Sequence, residues 1–277
     1  MNNSNTAEGR APAPHHTFWP RRLPHRITPP ATSLWHNLAV SALRYPDKTA
    51  LVFFDQVLTW RQVFDQAERL AAHLREQGVQ DGDRVILLMQ NCPQWVVAHF
   101  AILRANAVVV PVNPMNRSDE LQHYITDPDA RVAIAAADLA GELVKANAEV
   151  PEAARLRHLV VSHYSDAFGA QAEVPPAWTE WLATRHAVPT LPGGTVSDWA
   201  DALACTATAP SHNRGPDDLA VLPYTSGTTG LPKGCMHPHR TVMHNAVAVG
   251  LWTNSTVENV GLLVVPMFHI TGMVAGM

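Results

Sequence analysis

The chain has 277 residues, of which 47% are hydrophobic and 16% charged, and its net charge is −4. This apolar content is enough for a sizeable core and excludes a globally disordered chain. The acidic balance and the lack of a long basic run argue against a nucleic-acid partner, whose phosphates would require cations. The cysteines, Cys92, Cys205 and Cys235, are odd in number and far apart, so we expect no disulfide framework and a reducing, cytoplasmic environment.

The amino-terminal segment is rich in proline, histidine and arginine. It lacks the apolar stretch that a signal peptide needs. No run in the chain approaches the ~18 apolar residues of a membrane span. We therefore predict a protein without an integral membrane segment, in which residues 1–32 form a disordered tail and residues 33–277 form the folded part.

Helices and short strands are predicted to alternate from residue 33 to residue 126. Ser33 is expected to cap a first helix that ends before Pro46. Thr59 and Gln62 have the spacing of a capping box, and the apolar repeat that follows them ends at Gly78, where a C-terminal cap belongs. The predicted strands are 50–54, 57–60, 84–89 and 107–112, and the other predicted helices are 93–102 and 119–126.

The alternation continues in the second half of the chain. Strands are predicted at 131–135, 159–162 and 219–222, with a helix at 139–148 and another after Pro238. The stretch 165–216 is predicted to be mainly connecting structure with one helix near 178–184. Alternating strands and helices predict an α/β fold with a largely parallel sheet.

The loop at 224–234 has a composition that suits a polyphosphate. Its glycines allow the backbone to approach a ligand closely, and the amide N–H groups can then form an anion-binding concavity. Serine and threonine hydroxyls add donors, and Lys233 adds a positive charge. The loop lacks the Walker A order, in which Gly-Lys is followed directly by Ser or Thr. A surface loop that happens to be rich in glycine and threonine is the alternative.

Two sequence motifs indicate a family. The sequence YTSGTTGLPKG at 224–234 closely resembles the AMP-binding signature of the adenylate-forming superfamily, which includes acyl-CoA synthetases, peptide-synthetase adenylation domains and luciferases. VVPMFHITG at 264–272 resembles the motif that follows this signature and ends a strand with a Pro-x-Phe-His turn. PVNPMN at 111–116 looks most like bacterial fatty-acid and related acyl-CoA ligases, whereas Asn106 replaces a glycine that many relatives have.

The resemblance implies an α/β, partial N-terminal domain of the adenylate-forming fold, with largely parallel sheets flanked by helices and with the C-terminal domain absent. It implies ATP-dependent activation of a carboxylic acid, of the fatty class, to an acyl-adenylate and then an acyl-CoA thioester. ATP, Mg²⁺ and coenzyme A would take part. The residues that it implies for nucleotide binding are Thr225, Ser226, Gly227, Thr228, Thr229, Gly230, Pro232, Lys233 and Gly234.

His269 is the catalytic residue that the resemblance implies, because the aligned histidine of relatives lies between the acyl carboxylate and the thiol-donor channel. It would orient the carboxylate or gate the acceptor tunnel. His237, His239 and His244 are not predicted to bind a metal, because no cysteine or carboxylate completes the set. His239 is instead expected at the start of the helix beside the loop.

The resemblance covers nearly the whole chain from about residue 33, but only about half of the family's length. The family's later segments for adenine, Mg²⁺ and ribose, and its small C-terminal domain, are not found after Gly272. We therefore expect a truncated product, or one part of an enzyme that a second chain completes. An amino-acid adenylation domain, a ligase that loads a carrier protein and a catalytically inactive nucleotide-binding remnant are the alternatives that stay open.

Overall fold

The computed structural model describes residues 14–169, 172–225 and 230–276. The strands in these ranges are β1 (Thr49–Phe53), β2 (Gln56–Thr59), β3 (Arg84–Leu88), β4 (Val108–Pro111), β5 (Val132–Ala136), β6 (His158–Ser162), β7 (Thr195–Asp198), β8 (Leu219–Val221) and β9 (His237–Pro238). The helices are α1 (Trp35–Arg44), α2 (Trp60–Glu76), α3 (Pro93–Arg104), α4 (Ser118–Thr126), α5 (Ala137–Glu149), α6 (Pro176–Ala183), α7 (Trp199–Leu203), α8 (His239–Thr253) and α9 (Ile270–Ala275).

A seven-stranded sheet forms the centre of the fold. Its strand order is β7-β6-β5-β3-β4-β8-β9, and every neighbouring pair is parallel except the antiparallel pair of β8 and β9. A separate antiparallel hairpin is formed by β1 and β2. The predicted α/β fold with a largely parallel sheet is confirmed.

Helices cover both faces of the sheet, and the pleat of the strands divides the core in two. Val85 and Leu87 of β3 pack with residues of α2 and α3, whereas Ile86 and Leu88 pack with residues of α4 and α5. Successive side chains of a strand point to opposite faces, which explains why β3 is apolar at all of these positions. The apolar run predicted at 84–89 is therefore a central strand buried on both faces.

The local signals for α2 and α3 are confirmed. The Thr59 hydroxyl accepts from the Gln62 amide at 3.2 Å, and the Gln62 side chain accepts from the Thr59 amide at 2.8 Å. Gly78 follows the end of α2 with a φ of 91°, a conformation that strongly favours glycine. Pro93 is the first residue of α3, where its missing N–H has no intrahelical partner to lose.

The predicted role of Ser33 is wrong. Its hydroxyl lies 3.0 Å from Nδ1 of His36 and 2.6 Å from Nε2 of His212, and it makes no bond to an amide N–H at the start of α1. The two imidazoles therefore take the hydrogen bonds that a helix cap would have used. His212 is far away in the sequence, which is why local spacing could not reveal it.

The stretch 165–216 contains more regular structure than predicted. The helix expected near 178–184 is present as α6, but β7 and α7 were missed. β7 pairs in parallel with β6 at the edge of the sheet. Its sequence is TVSD, which lacks the apolar run that marks the buried strands.

The described part of the predicted tail, residues 14–32, lies against the end of α8. The Arg22 guanidinium donates to the carbonyl oxygens of Leu251 and Trp252 at 3.0 and 2.7 Å. The indole of Trp19 donates to the carbonyl of Leu23, whose side chain is buried. The division into a tail over 1–32 and a domain over 33–277 stays a prediction.

Across the described ranges, every helix is too short or too polar to cross a bilayer.

The capping box at the start of α2 generates a stability prediction. Thr59→Ala removes the hydroxyl that accepts from the Gln62 amide, and we expect it to lower the free energy of unfolding by about 1 kcal/mol. Thr59→Ser keeps the acceptor and should retain most of that stability. Chemical denaturation of the three proteins measures the difference, and equal loss in both variants would show that the methyl group matters rather than the cap.

Candidate functional site

The position of the glycine-rich loop is set by the pairing of β8 with β4. Val109 of β4 lies opposite Val221 of β8, and the amide of Leu222 donates to the carbonyl of Val109 at 2.8 Å. The loop after β8 therefore leaves the sheet at its carboxyl edge. In open parallel α/β sheets this is the edge at which ligands bind.

Backbone bonds join the two arms of the loop. Tyr224 forms an antiparallel bridge with Gly234, and the Thr225 amide donates to the Lys233 carbonyl at 3.0 Å. The Cys235 amide donates to the Pro223 carbonyl at 2.8 Å. Of the predicted phosphate-binding residues, Ser226, Gly227, Thr228 and Thr229 lie outside the described part of the chain.

The arms of the loop are fixed to α4. The Tyr224 hydroxyl donates to the carboxylate of Asp127 at 2.6 Å, and the imidazole of His123 donates to the carbonyl of Pro232 at 2.7 Å. The rings of Tyr124 and Tyr224 are 4.6 Å apart. Burial, followed by the neighbouring Asp127 carboxylate, raises the pKa of Tyr224, so that the phenol keeps its proton and can donate. These anchors could not be predicted from the sequence, because nothing in local spacing connects His123 in α4, or Asp127 just after it, with the loop.

The described residues of the loop present a compact backbone and an exposed cation. A Cβ atom at Gly234 would lie 3.1 Å from Cγ of Leu222 and 3.2 Å from Cζ of Tyr224, so the glycine permits close packing of the arms. Thr225, Gly230 and Lys233 are exposed and Pro232 is half-buried. None of the ion pairs between described residues involves Lys233, so its ammonium group can interact with an anion.

The second motif is attached to the same edge by one side chain. Asn91, which follows β3, donates from Nδ2 to the carbonyls of Leu263 and Val265 at 3.3 and 3.0 Å. Its Oδ1 accepts from the amide of Met267 at 2.8 Å. β3 and β8 are both neighbours of β4, so their ends are separated by two strand spacings, roughly 10 Å. The two motifs recognised in the sequence are therefore both attached at the carboxyl edge of the sheet.

The Pro-x-Phe-His segment forms the predicted turn but not the predicted strand. The His269 amide donates to the Pro266 carbonyl at 3.1 Å, which closes the turn. His269 is exposed, and its Nδ1 accepts from the Thr271 amide at 3.3 Å at the start of α9. The residues before Pro266 are not in a strand, and Val264 is 72% exposed. A strand needs a neighbour for its backbone groups, and no described strand lies beside this segment.

The position of Gly272 leaves no room for a side chain. A Cβ atom at this position would lie 2.2 Å from the Pro266 carbonyl oxygen and 2.6 Å from the Pro266 carbonyl carbon. These are backbone atoms, which cannot move away as the end of a side chain could. The first turn of α9 is therefore in direct contact with the turn that presents His269.

His239 is the first residue of α8, as the sequence predicts, and it is buried. Its Nδ1 accepts from the amide of Leu34 at 3.0 Å, which links α8 to the start of α1. Burial, with a smaller contribution from His212, lowers the pKa of His239 to about 4. Over the described ranges, no three His, Cys, Asp or Glu side chains come together as metal ligands.

Comparison with known proteins identifies a family for most of the chain. Residues 38–277 match the family model described as AMP-binding enzyme. A long-chain-fatty-acid–CoA ligase of Bacillus subtilis is 29% identical over 267 residues, which cover 94% of this chain and 46% of that protein. A long-chain-fatty-acid–CoA ligase of Escherichia coli O6:H1 is 30% identical over 269 residues, covering 91% and 45% respectively.

Solved structures share the fold. A long-chain-fatty-acid-CoA ligase of Archaeoglobus fulgidus superposes with a TM-score of 0.67 at 24% identity, over 90% of this chain and 46% of that one. This similarity concerns the fold alone. The chain spans about half the length of the curated relatives that it matches.

The close approach at Gly272 generates a matched pair of variants. Gly272→Ala forces a Cβ atom into the Pro266 backbone, and we expect it to lower the free energy of unfolding by about 1–3 kcal/mol. Gly261→Ala is the control, because a Cβ there meets no described atom within 4 Å. Chemical denaturation compares the two. A Gly272→Ala protein as stable as the control would show that the turn and α9 do not pack as described.

The buried histidines generate a pH prediction. An unfolded histidine titrates near pH 6.5 and folded His239 near 4, so the unfolded chain binds more protons between these values. The contribution of neutral His239 to the free energy of unfolding is therefore fully present above pH 6.5. It decreases as the pH is lowered toward 4, by about 3 kcal/mol in total. Burial likewise lowers the pKa of His99, His158 and His212 to between about 3 and 4.

The measurement is chemical denaturation across that pH range. His239→Asn keeps an acceptor for the Leu34 amide but does not titrate. The free energy of unfolding of this variant should therefore change less with pH than that of the parent. His244→Asn, at an exposed position of α8, should leave it unchanged. A slope that is the same in all three proteins would contradict the assignment of His239 as a buried neutral group.

Proposed function

This chain belongs to the family of AMP-binding enzymes, and on that premise we propose that it is the N-terminal part of a cytoplasmic ligase that activates a carboxylic acid with ATP. The product would be an acyl-adenylate, which coenzyme A then converts to an acyl-CoA thioester. The relatives named long-chain-fatty-acid–CoA ligase support a fatty acid as the substrate. The observation that carries the proposal is that the glycine-rich loop and the Pro-x-Phe-His turn are both attached at the carboxyl edge of one sheet.

The chemistry explains why such a site is needed. A carboxylate has no good leaving group, so its oxygen attacks the α-phosphorus of ATP and pyrophosphate leaves. The resulting mixed anhydride then loses AMP when a thiol attacks the acyl carbon. The carboxylate and the triphosphate are both anions, and an enzyme must hold them together with donors and cations that are already in place.

We assign these tasks to the two motifs. The segment from Thr225 to Gly234 would bind the phosphates, with Lys233 supplying the cation. Bonds from His123 and Asp127 hold the described arms of the loop at Pro232 and Tyr224, so these arms are in place before the nucleotide binds. His269 would orient the carboxylate or gate the approach of the thiol, and it is exposed at the end of a turn where it could do either.

Mg²⁺ is the metal expected with ATP, and it would neutralise phosphate charge when bound. It usually keeps several waters and binds through substrate phosphates and one or two carboxylates rather than in an all-protein cage. Over the described ranges, no group of three or more acidic, histidine or cysteine side chains forms such a cage. The resemblance implies that the hydroxyls of Thr228 and Thr229 help to bind phosphate or Mg²⁺, and no dedicated metal ligand was predicted from the sequence.

The alternatives from the sequence concern the acceptor and the completeness of the machinery. Transfer to a carrier protein, activation of an amino acid, completion by a second chain and nucleotide binding without catalysis are all compatible with the loop. Acid-dependent release of pyrophosphate from ATP separates an activating enzyme from a nucleotide-binding remnant. Release that depends on a fatty acid but not on amino acids would support the substrate class proposed.

The direct test of the loop is titration of the purified chain with Mg-ATP by calorimetry. Lys233→Ala removes the exposed cation, and we expect affinity to fall about tenfold to 100-fold, the usual effect of losing a charged hydrogen bond. Lys145→Ala, at an exposed position of α5, is the matched control and should bind as the parent does. Binding that is absent in all three proteins, or equal in all three, would refute the role of the loop.

A further inference from the structure

The amino-terminal part of the chain has a charge that differs from the rest of the molecule. Residues 9–46 contain five arginines and neither aspartate nor glutamate, although the whole chain has a net charge of −4. Three of the arginines, Arg21, Arg22 and Arg26, lie within six residues of one another. None of the ion pairs between described residues involves these three. Among the described residues, no ion pair neutralises their charge.

The segment that holds these arginines is fixed in place. Arg22 donates to the last carbonyls of α8, where a cation is favoured by the helix dipole. The ring centroids of Trp19 and Trp252 are 6.2 Å apart with an interplanar angle of 69°, and Leu23 is buried. The segment is thus anchored by Arg22, Trp19 and Leu23, and its other side chains project from an ordered base.

Those other side chains combine cations with large aromatic rings. Arg21 and Arg26 are exposed. Phe18 is 88% exposed, and Trp252, at the adjoining end of α8, is 56% exposed. We refer to Phe18, Arg21, Arg26 and Trp252 as the basic aromatic surface. Phe18 and Arg21 are separated by two residues, and the ring of Trp19 next to Phe18 lies 6.2 Å from that of Trp252. Exposed apolar groups rimmed by polar residues mark interaction sites when they form a patch.

The composition of the surface distinguishes among partners. A bilayer with anionic headgroups offers phosphate charge for the arginines and an apolar interior for the rings. Tryptophan and phenylalanine prefer this boundary. A folded acidic protein would satisfy the arginines but would leave Phe18 in water unless it carried a matching pocket. Stable attachment to a bilayer needs two signals, an apolar one and a basic one, and this surface contains both.

We propose that the basic aromatic surface binds this protein to the surface of an anionic lipid bilayer. The arginines would lie at the headgroup phosphates while Phe18 enters the interface. This attachment does not depend on the proposed ligase activity, since it involves none of the residues assigned to the loop or the turn. It can therefore fail or succeed independently.

Co-sedimentation with vesicles tests the proposal. The chain should bind vesicles of equimolar phosphatidylcholine and phosphatidylglycerol and should bind vesicles of phosphatidylcholine alone far more weakly. Arg21→Gln combined with Arg26→Gln should lower the partition coefficient about 25-fold, or about fivefold for each cation. Phe18→Ala should lower it about tenfold. Arg69→Gln and Met115→Ala, at exposed positions elsewhere, are controls that should bind like the parent.

Arg22 is left intact in every variant because it holds the segment to α8, and unchanged thermal unfolding would verify that the variants fold. Equal binding to both vesicle types, or no binding, would overturn the proposal. If the arginine variant lost binding while Phe18→Ala bound as the parent does, the proposal would also be overturned, because the surface would then recognise charge alone. Binding to a single-stranded oligonucleotide in place of vesicles would assign the surface to nucleic acid instead.

Discussion

The parallel pairing of β8 with β4 is the constraint on which the candidate site depends. It involves few backbone bonds, among them the one from the Leu222 amide to the Val109 carbonyl. This pairing directs the chain out of the sheet at its carboxyl edge, next to the ends of β3 and β4. The loop can then reach α4, where Asp127 and His123 hold its arms. If β8 paired elsewhere, the same loop sequence would face a different surface and would have neither anchor.

Asn91 has a comparable role for the second motif. One amide side chain bonds to three backbone groups of the segment 263–267, which otherwise has no strand beside it among the described residues. Gly272 then brings α9 against Pro266. The position of His269 is therefore fixed by the hydrogen bonds of Asn91 before it and by the close contact of Gly272 with Pro266 after it. A motif recognised as a string of residues proves to depend on an asparagine that lies far from it in the chain.

The sequence predicted those features that are decided within a few residues. Thr59 with Gln62 and the glycine after α2 were recognised because a cap or a positive φ restricts which residue can occupy one position. The central strands were recognised because burial on both faces requires an unbroken apolar run. Strand β7 was missed because an edge strand with a polar sequence has no such run. The partner of Ser33 and the anchors of the loop were missed because long-range contacts leave no local periodicity.

Helix α8 connects the two surfaces for which we propose functions. It begins at His239, just after the glycine-rich loop, and its last residues form part of the basic aromatic surface. Its 15 residues give a length of about 22 Å. A bilayer bound at the carboxyl end of α8 would therefore lie about one helix length from His239 and the loop that precedes it. A fatty acid partitions into membranes because of its apolar chain. Attachment at this end would therefore keep the loop close to the bilayer that holds such a substrate. For a water-soluble acid, the same attachment would not raise the substrate concentration near the loop.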